Sequence, residues 1–238
     1  MNLTHKAWML PASSYTSMAG SVLAAALIFD GVSAWWLLAS FVTYFAYKLC
    51  LSVGHHRLFT HRSFECSRWL EILLALGTVP LVYGSTIGWA TIHIGHHKFS
   101  DSDRDPHETK WTYFLTRKFH SVSLTKSLIP KRLLNDPLHQ FIHRYYVLIW
   151  AAFVIALIAM SPLILLFCYV VPMAYFYITT GMHQVLSHVD KRPRNMVWLE
   201  FLFPTGGEWY HEVHHADTRK ARYGKYDLGG VFIEAVRK

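Results

Sequence analysis

Four uncharged apolar runs, arranged as two closely joined pairs, most constrain what this chain can become. The first pair covers about Met18 to Phe29 and Val32 to Tyr47, with only Asp30-Gly31 between them. The second covers Tyr145 to Met160 and Leu163 to Thr180, joined at Ser161-Pro162, where proline suits the first turn of a new helix. Such short junctions fit tight helical hairpins, and the shortest run borrows Pro11 to Ser17 to reach spanning length. At 53% hydrophobic and 16% charged over 238 residues, the chain is one domain's worth of material and too apolar for an ordinary soluble globule. The pattern predicts an all-α, polytopic membrane protein with four transmembrane helices in two hairpins.

Charge and cysteine usage narrow the reading. The net charge of +8 lies beside apolar runs, where anionic lipid headgroups are the natural counterpart, and nucleic acid is excluded as a partner. Cys50, Cys66 and Cys168 are odd in number and imply no disulfide framework. No cleaved signal peptide is expected, since Lys6 is the only lysine or arginine before Lys48. The hairpin junctions carry no lysine or arginine, whereas Lys98 to Arg144 and the tail after Asp190 are rich in them, which predicts cytoplasmic termini and long loops.

Three histidine clusters then appear at the ends of apolar segments: HRLFTH at His56 to His61, HxxHH at His93 to His97, and HxxHH again at His211 to His215. Were the uncharged stretch Ile72 to Ile92 a further straight span, the first two clusters would lie about 30 Å apart across hydrocarbon. Gly77, Pro80, Gly84 and Gly88 argue against a straight helix there, so it reads as an interfacial or re-entrant segment whose backbone is protected by protein. All clusters then reach the cytoplasmic face as part of a helical cap. On a helix, HxxHH puts i, i+3 and i+4 on one face, so His93, His96 and His97 are expected to converge on metal from one turn, and His211, His214 and His215 likewise. The i, i+5 spacing of His56 and His61 turns them about 140° apart in an α-helix, so they are expected to share a site only if the helix ends between them, or else to serve different ions. Eight imidazoles exceed one ion's capacity, so two metals are expected. His5, His107, His120, His139 and His143 are expected at the surface or membrane interface.

The motifs also carry a family likeness. GHHRLFTHRSF at Gly54 to Phe64, HIGHHKFSDSDRDPH at His93 to His107 and GEWYHEVHH at Gly207 to His215 resemble the three histidine boxes of the membrane-bound fatty acid desaturases, most closely the acyl-CoA Δ9 type. The resemblance covers roughly Lys48 to Asp217. It implies a fatty acyl desaturase that uses dioxygen and two electrons at a di-iron centre, with ligands His56, His61, His93, His96, His97, His211, His214 and His215. The family's Asn-x-x-x-His after the fourth span corresponds to Gln184-Val-Leu-Ser-His188, which makes His188 the ninth ligand and Gln184 the water holder; His183 is the competing choice for the ninth. An aliphatic C–H bond has no acidic proton and no leaving group, so a redox metal with dioxygen must supply the oxidant, and imidazole suits iron. Asp101, Asp103, Asp105, Glu208 and Glu212 can accept the outer N–H of ligand histidines, with Glu208 and Asp105 the first choices.

Some positions depart from the family pattern. Ala90 to His97 lacks the arginine and aspartate that animal acyl-CoA members place around box two, which leaves the acyl carrier open between CoA, a carrier-protein thioester and an intact lipid. Glu212 replaces the asparagine usual after the first histidine of box three. With no fused haem-binding donor, electrons are expected from a separate cytochrome b5-like protein or ferredoxin, for which Lys98, Arg117, Lys118, Arg192 and Arg194 offer a docking face or a lipid-facing collar. Tyr44 and Ser40, roughly 18 to 24 Å before His56 at ~1.5 Å per residue, are the candidates to close an acyl tunnel. The chain reads as one membrane-embedded domain, 1–238: a first hairpin at about 16–50, boxes one and two with the interfacial segment and loop at 51–143, a second hairpin at 144–182, and box three with the tail at 183–238. A di-iron hydroxylase on the same scaffold and a zinc-binding membrane hydrolase or receptor-like protein are the alternatives.

Overall fold

The computed structural model describes residues 9–107 and 126–238. Among the described residues the chain is helical, with one isolated β-bridge between Asn195 and Tyr210. Among the described residues four helices are long and apolar enough to cross a bilayer: Met9–Phe29, Trp35–His61, Pro137–Met160 and Pro162–Leu186. The first (α1, Met9–Phe29) does start before the uncharged run, as its length requires. The second is α2 (Trp35–Leu49) continued without a break by a π-helical segment, Cys50–His61. Between α1 and α2 the chain reverses at Asp30-Gly31, where Gly31 takes φ +101°, a conformation cheap only for glycine.

The second pair is α6 (Pro137–Met160), preceded by the short α5 (Lys131–Asn135), and then α7 (Pro162–Leu165), a π turn at Leu166–Val170 and α8 (Val171–Leu186). The Ser161 side chain accepts from the Leu163 N–H and Pro162 fills the first helical position, so the sharp reversal leaves few orphan donors. The two pairs interlock at the π turn. Ser40 donates to the Phe167 carbonyl at 2.5 Å and Tyr47 to the Cys168 carbonyl at 3.0 Å, which ties α2 to backbone that the widened turn leaves available. On the other side α1 approaches so closely that a Cβ added at Gly20 would stand 2.3 Å from Val170 Cγ1.

The segment after box one is bent, as its glycines and proline suggest. Here α3 (Arg68–Gly77) and α4 (Thr86–Phe99) are joined by a turn that changes direction by 78°. Such a break exposes carbonyls that hydrocarbon cannot satisfy. Three tyrosines of the second pair supply the donors. Tyr146 donates to Val79 at 3.1 Å, Tyr169 to Pro80 at 2.9 Å and Tyr177 to Leu81 at 3.2 Å, while the Gly84 N–H donates back to Tyr146 at 3.2 Å. His139 and His143, expected at a surface or interface, instead anchor the start of α4: their Nδ1 atoms lie 2.8 Å from Thr86 Oγ1 and 2.7 Å from the helix-capping Ser85 Oγ. His139 is fully buried and His143 half-buried, because α6 crosses directly over that cap. His5, His120, Arg117 and Lys118 lie outside the described residues.

Tyr146→Phe tests the role of the tyrosines. It removes the donor for Val79 and the acceptor for Gly84 inside an apolar layer, at a cost of about 1–3 kcal/mol. We expect a lower unfolding temperature for the detergent-solubilised variant in differential scanning fluorimetry; an unchanged midpoint would mean that the turn holds itself.

Candidate metal centre

Three elements aim imidazoles at one region: the π segment at the end of α2, helix α4, and α9 (His211–Ala216), with His188 arriving just after α8. Nine histidines gather there in two groups, and within each group the ligand-type atoms lie within 4.8 Å of one another. One group is His56, His61, His93, His97 and His214; the other is His96, His188, His211 and His215.

This arrangement corrects two expectations. Neither HxxHH converges on a single group. His93 and His97 turn to the first group and His96 to the second, whereas His211 and His215 turn to the second and His214 to the first. The reason is angular: i and i+4 lie about 40° apart around a helix, but i+3 and i+4 lie about 100° apart, so the i+3 ring reaches a neighbouring centre. Nor does the helix end between His56 and His61. It is wound with i→i+5 hydrogen bonds, which narrows the angle between residues i and i+5 well below its α-helical value and brings both rings into one group, their centroids 5.0 Å apart. The loosened carbonyls near the end of this segment are taken by Arg132 of α5, which donates to Leu58 at 2.5 Å and Phe59 at 2.8 Å.

The outer nitrogens decide what the inner ones can do. Asp105 stands 2.9 Å from His96 Nδ1, Asp101 stands 3.1 Å from His188 Nδ1, and Glu208 Oε2 stands 2.6 Å from His56 Nδ1. As acceptors, Asp105 and Asp101 favour a ring proton on Nδ1 of His96 and His188, which leaves Nε2 facing inward as the lone-pair side, and Glu208 stands at ion-pair distance behind His56. Those inward nitrogens crowd one another: His56 to His214 is 2.9 Å, His97 to His214 2.8 Å, His93 to His97 3.1 Å, His188 to His211 2.7 Å and His211 to His215 3.0 Å. With metal–nitrogen bonds of about 2.0–2.1 Å, adjacent corners of a coordination shell fall about 3.0–3.4 Å apart, close to this spacing. Burial also works against protonation of several of these rings. Burial, followed by neighbouring histidines, pushes His93, His96, His211 and His214 far below the ordinary imidazole range and His215 down to about 3. Neutral, convergent imidazoles fit metal ions.

Other predicted residues are distributed as follows. Asp105 is buried and also accepts from the Asp101 N–H at 2.9 Å and the His107 N–H at 2.8 Å, so the acidic loop after α4 folds around it. Asp103 is exposed, and Glu212 turns outward to accept from Asn195 at 3.1 Å. Gln184 lines a cavity that also contacts His56, His93, His96, His188 and His211. His183 lines it too but donates from Nε2 to the Glu208 carbonyl at 2.8 Å, which leaves it outside both groups. His107, expected at the surface, lies against the centre with its ring 4.4 Å from His96; its place at the end of DPH was the available signal. Tyr44 and Ser40 do not line the cavity. Their hydroxyls are committed to Pro204 and Phe167 carbonyls, each at 2.5 Å, which seals α2 against its neighbours at that depth. Lys98, Arg192 and Arg194 are exposed, Arg194 paired with Asp190 at 2.7 Å.

A buried polar frame that the motifs did not announce supports Glu208. Arg57, fully buried, donates to both oxygens of Asp227 at 3.1 Å and to the Gly206 carbonyl at 3.2 Å, and it stands over the Tyr223 ring at 4.2 Å. Tyr223 in turn places its hydroxyl 3.0 Å from His214 Nδ1. Glu200 accepts from Thr205 and from the Gly207 N–H at 2.9 Å, fixing the loop that carries Glu208. Burial pushes the Glu208 carboxyl up, but His56 and the Arg57 guanidinium outweigh it and bring it down to about 2. Gly207 has φ +100°, and a Cβ there would meet Asp227 Oδ1 at 2.1 Å, which explains why glycine precedes glutamate in box three.

These features define a membrane-embedded helical protein built around a paired histidine centre that could hold metal. Residues 32–224 match the family model of the fatty acid desaturases, and the chain belongs to that family. It is 31% identical over 194 residues to an sn-1 stearoyl-lipid 9-desaturase of Anabaena variabilis, an alignment covering 74% of this chain and 69% of that protein. It is 29% identical over 199 residues to the Delta-9 desaturase-like 2 protein of Arabidopsis thaliana, covering 74% of this chain and 64% of the relative. An acyl-CoA Delta(11) desaturase of Trichoplusia ni is 28% identical over 227 residues, with 83% and 64% covered. The chain thus spans roughly two thirds of the length of these relatives.

The frame predicts a large effect for Asp227→Ala. Leaving the Arg57 charge buried without its partner should cost about 3–5 kcal/mol. A thermal melt of the purified variant should show a marked fall, and Asp227→Glu should be milder; a melt like that of the unmodified protein would remove the pair from the supporting frame.

Proposed function

We propose that this protein is a fatty acyl desaturase that removes two hydrogens from an adjacent methylene pair of a saturated chain. The observation that carries the reading is the two-group array of nine convergent imidazoles beside a cavity with apolar walls, in a chain of the desaturase family. Overall, the methylene pair, one dioxygen, two electrons and two protons become one olefin and two waters. Two irons held by these histidines would supply the oxidising power that an unactivated C–H bond demands.

The chain's own residues carry the remaining tasks. His56, His61, His93, His97 and His214 are proposed to hold one ion, and His96, His188, His211 and His215 the other. Asp101, Asp105 and Glu208 keep protons on the outer nitrogens and fix the planes of the rings they face. Gln184 is proposed to hold a water beside His188, since it shares that cavity wall. Trp89 and Leu51 contribute an apolar wall against which a methylene chain can lie. The lysine-rich and arginine-rich loops favour a cytoplasmic active site, served by a separate electron donor of cytochrome b5 or ferredoxin type. The named relatives include both acyl-lipid and acyl-CoA enzymes, and a Δ9 product is the position favoured by two of the three.

Expression in a desaturase-deficient host, with mass-spectrometric mapping of the new double bond, is the direct test. We expect olefin from the unmodified chain, none from His96→Ala, and about two irons per chain in the purified protein. Asp105→Asn should weaken metal binding about 10–100-fold by removing the acceptor behind His96. An alcohol product, or zinc alone in the purified protein, would overturn the reading.

A further inference from the structure

A second stretch of irregular backbone is prepared for hydrocarbon in the way the bend between α3 and α4 is. The chain leading into box three passes through a short 3₁₀ helix, Val197–Phe201, and the three carbonyls that follow each accept from a side chain. Tyr175 donates to Leu202 at 2.8 Å, Trp209 Nε1 to Phe203 at 2.8 Å and Tyr44 to Pro204 at 2.5 Å. The N–H groups are equally occupied. Leu202 and Phe203 donate to the Leu199 carbonyl at 3.1 and 2.7 Å and Thr205 to Glu200 at 2.8 Å, while Pro204 has no N–H to place. Backbone so fully paired is ordinary in a core, but here the side chains face outward: Trp198, Phe201 and Leu202 are 62%, 66% and 59% exposed. The exposed Tyr226 lies edge-on to Phe201 at 4.9 Å and widens the same face. Contiguous apolar exposure of this kind marks a surface that something covers.

The helices that supply the donors say what covers it. The hairpin junctions at Asp30-Gly31 and Ser161-Pro162 lie at the opposite end of the spans from the histidine centre. Counted from that end at ~1.5 Å per residue, Tyr44 stands about 14 Å along the span that begins at Trp35, and Tyr175 about 20 Å along the one that begins at Pro162. The hydrocarbon layer is about 30 Å thick, so both tyrosines lie within it, and the carbonyls they reach lie below the headgroups. Irregular backbone survives at that depth only where protein satisfies it. We infer that residues 198–204 form a re-entrant turn set into the leaflet on the side of the histidine centre, with the acyl chains of bilayer lipid covering Trp198, Phe201 and Leu202. Box three then hangs from a membrane-inserted element, as box two hangs from the bend at Val79–Leu81. The wall that Thr205 gives to the cavity is continuous with a lipid-facing surface. This goes beyond the desaturase reading and stands independently of it.

Fluorescence quenching of the full chain in phosphatidylcholine nanodiscs tests the placement. Leu202→Cys and, as the water-facing control, Arg219→Cys on the exposed loop after α9 are each labelled with bimane. The unmodified chain labelled in parallel supplies the background of its own Cys50, Cys66 and Cys168. Lipid carrying a nitroxide on its acyl chain should remove most of the emission from Leu202→Cys and little from Arg219→Cys, and aqueous iodide should do the reverse. Equal iodide quenching at the two positions would overturn the inference. Protection of Leu202→Cys from both quenchers would overturn it too, since that result belongs to a face covered by a second copy or another protein. Phe201→Cys, at a similarly exposed position, decides by the same comparison if Leu202→Cys does not fold.

Discussion

Crowding of buried imidazole nitrogens is the constraint around which this structure is organised. The Nε2 atoms of His97 and His214 sit 2.8 Å apart, and those of His188 and His211 2.7 Å apart, each pair within hydrogen-bond reach. Gathering so many polar rings in one buried region costs desolvation that ring-to-ring hydrogen bonds offset only in part, and a cation bound by the same nitrogens turns that geometry from cost to gain. Much of the polar interior can be understood as the frame for this array. Asp101 and Asp105 brace it from the loop after α4, Glu208 from the loop before α9, and the Arg57–Asp227 pair with Tyr223 joins the C-terminal segment to His214. A frame of buried charges adds little net stability, but removing any member leaves another unmatched, so it specifies one arrangement.

Bringing the boxes together also required a break in the apolar layer. A straight helix from Arg68 to Phe99 would carry α4 across the membrane and away from the π segment. The 78° bend returns it, and the cost is a turn whose carbonyls face the bundle. Tyr146, Tyr169 and Tyr177 meet that cost with hydroxyls placed on three successive carbonyls, Val79, Pro80 and Leu81. Phenols suit the task because the ring fills apolar space while the hydroxyl carries the hydrogen bond. The second helical pair therefore does more than span: it makes the bend tolerable, and the bend makes the centre possible.

Much of this was legible in the chain. The four apolar runs gave the spans because hydrocarbon thickness fixes their length, and Gly77, Pro80, Gly84 and Gly88 announced the bend because each weakens a straight helix. Eight of the nine histidines stood out by type and spacing, and the family likeness pointed to His188. What spacing could not give was their division into two groups, because a face of a helix is a statement about one helix, whereas His96 and His214 are assigned by what lies across from them. Arg57, Glu200 and Asp227 were equally hidden, since their meaning comes from partners up to 170 residues distant. His139 and His143 looked like interface residues because the apolar run of α6 begins beside them; only the crossing of α6 over the cap of α4 gives them partners.

The second span shows how one helix can serve both the centre and its cavity. Ser40, Tyr44, Lys48, Ser52 and His56 recur every four residues, and all five are buried. In an α-helix a four-residue repeat drifts about 40° per step, so such a stripe would wind away from any fixed partner. The change to π winding at Cys50 reverses that drift over the last steps, because four residues then fall short of a full turn. The stripe can thus bind the π turn before α8 and the loop after α8 through Ser40 and Tyr44, face the cavity with Lys48, hold Glu208 through Ser52 and still deliver His56 and His61 to one ion's worth of space. The uncharged run stops at Tyr47, but the span itself runs on to His61, which places Lys48 in the interior rather than at the membrane surface. There its Nζ donates to Thr180 Oγ1 of α8 at 2.6 Å, so the one basic member of the stripe ties α2 to the same helix pair as Ser40 and Tyr44 do.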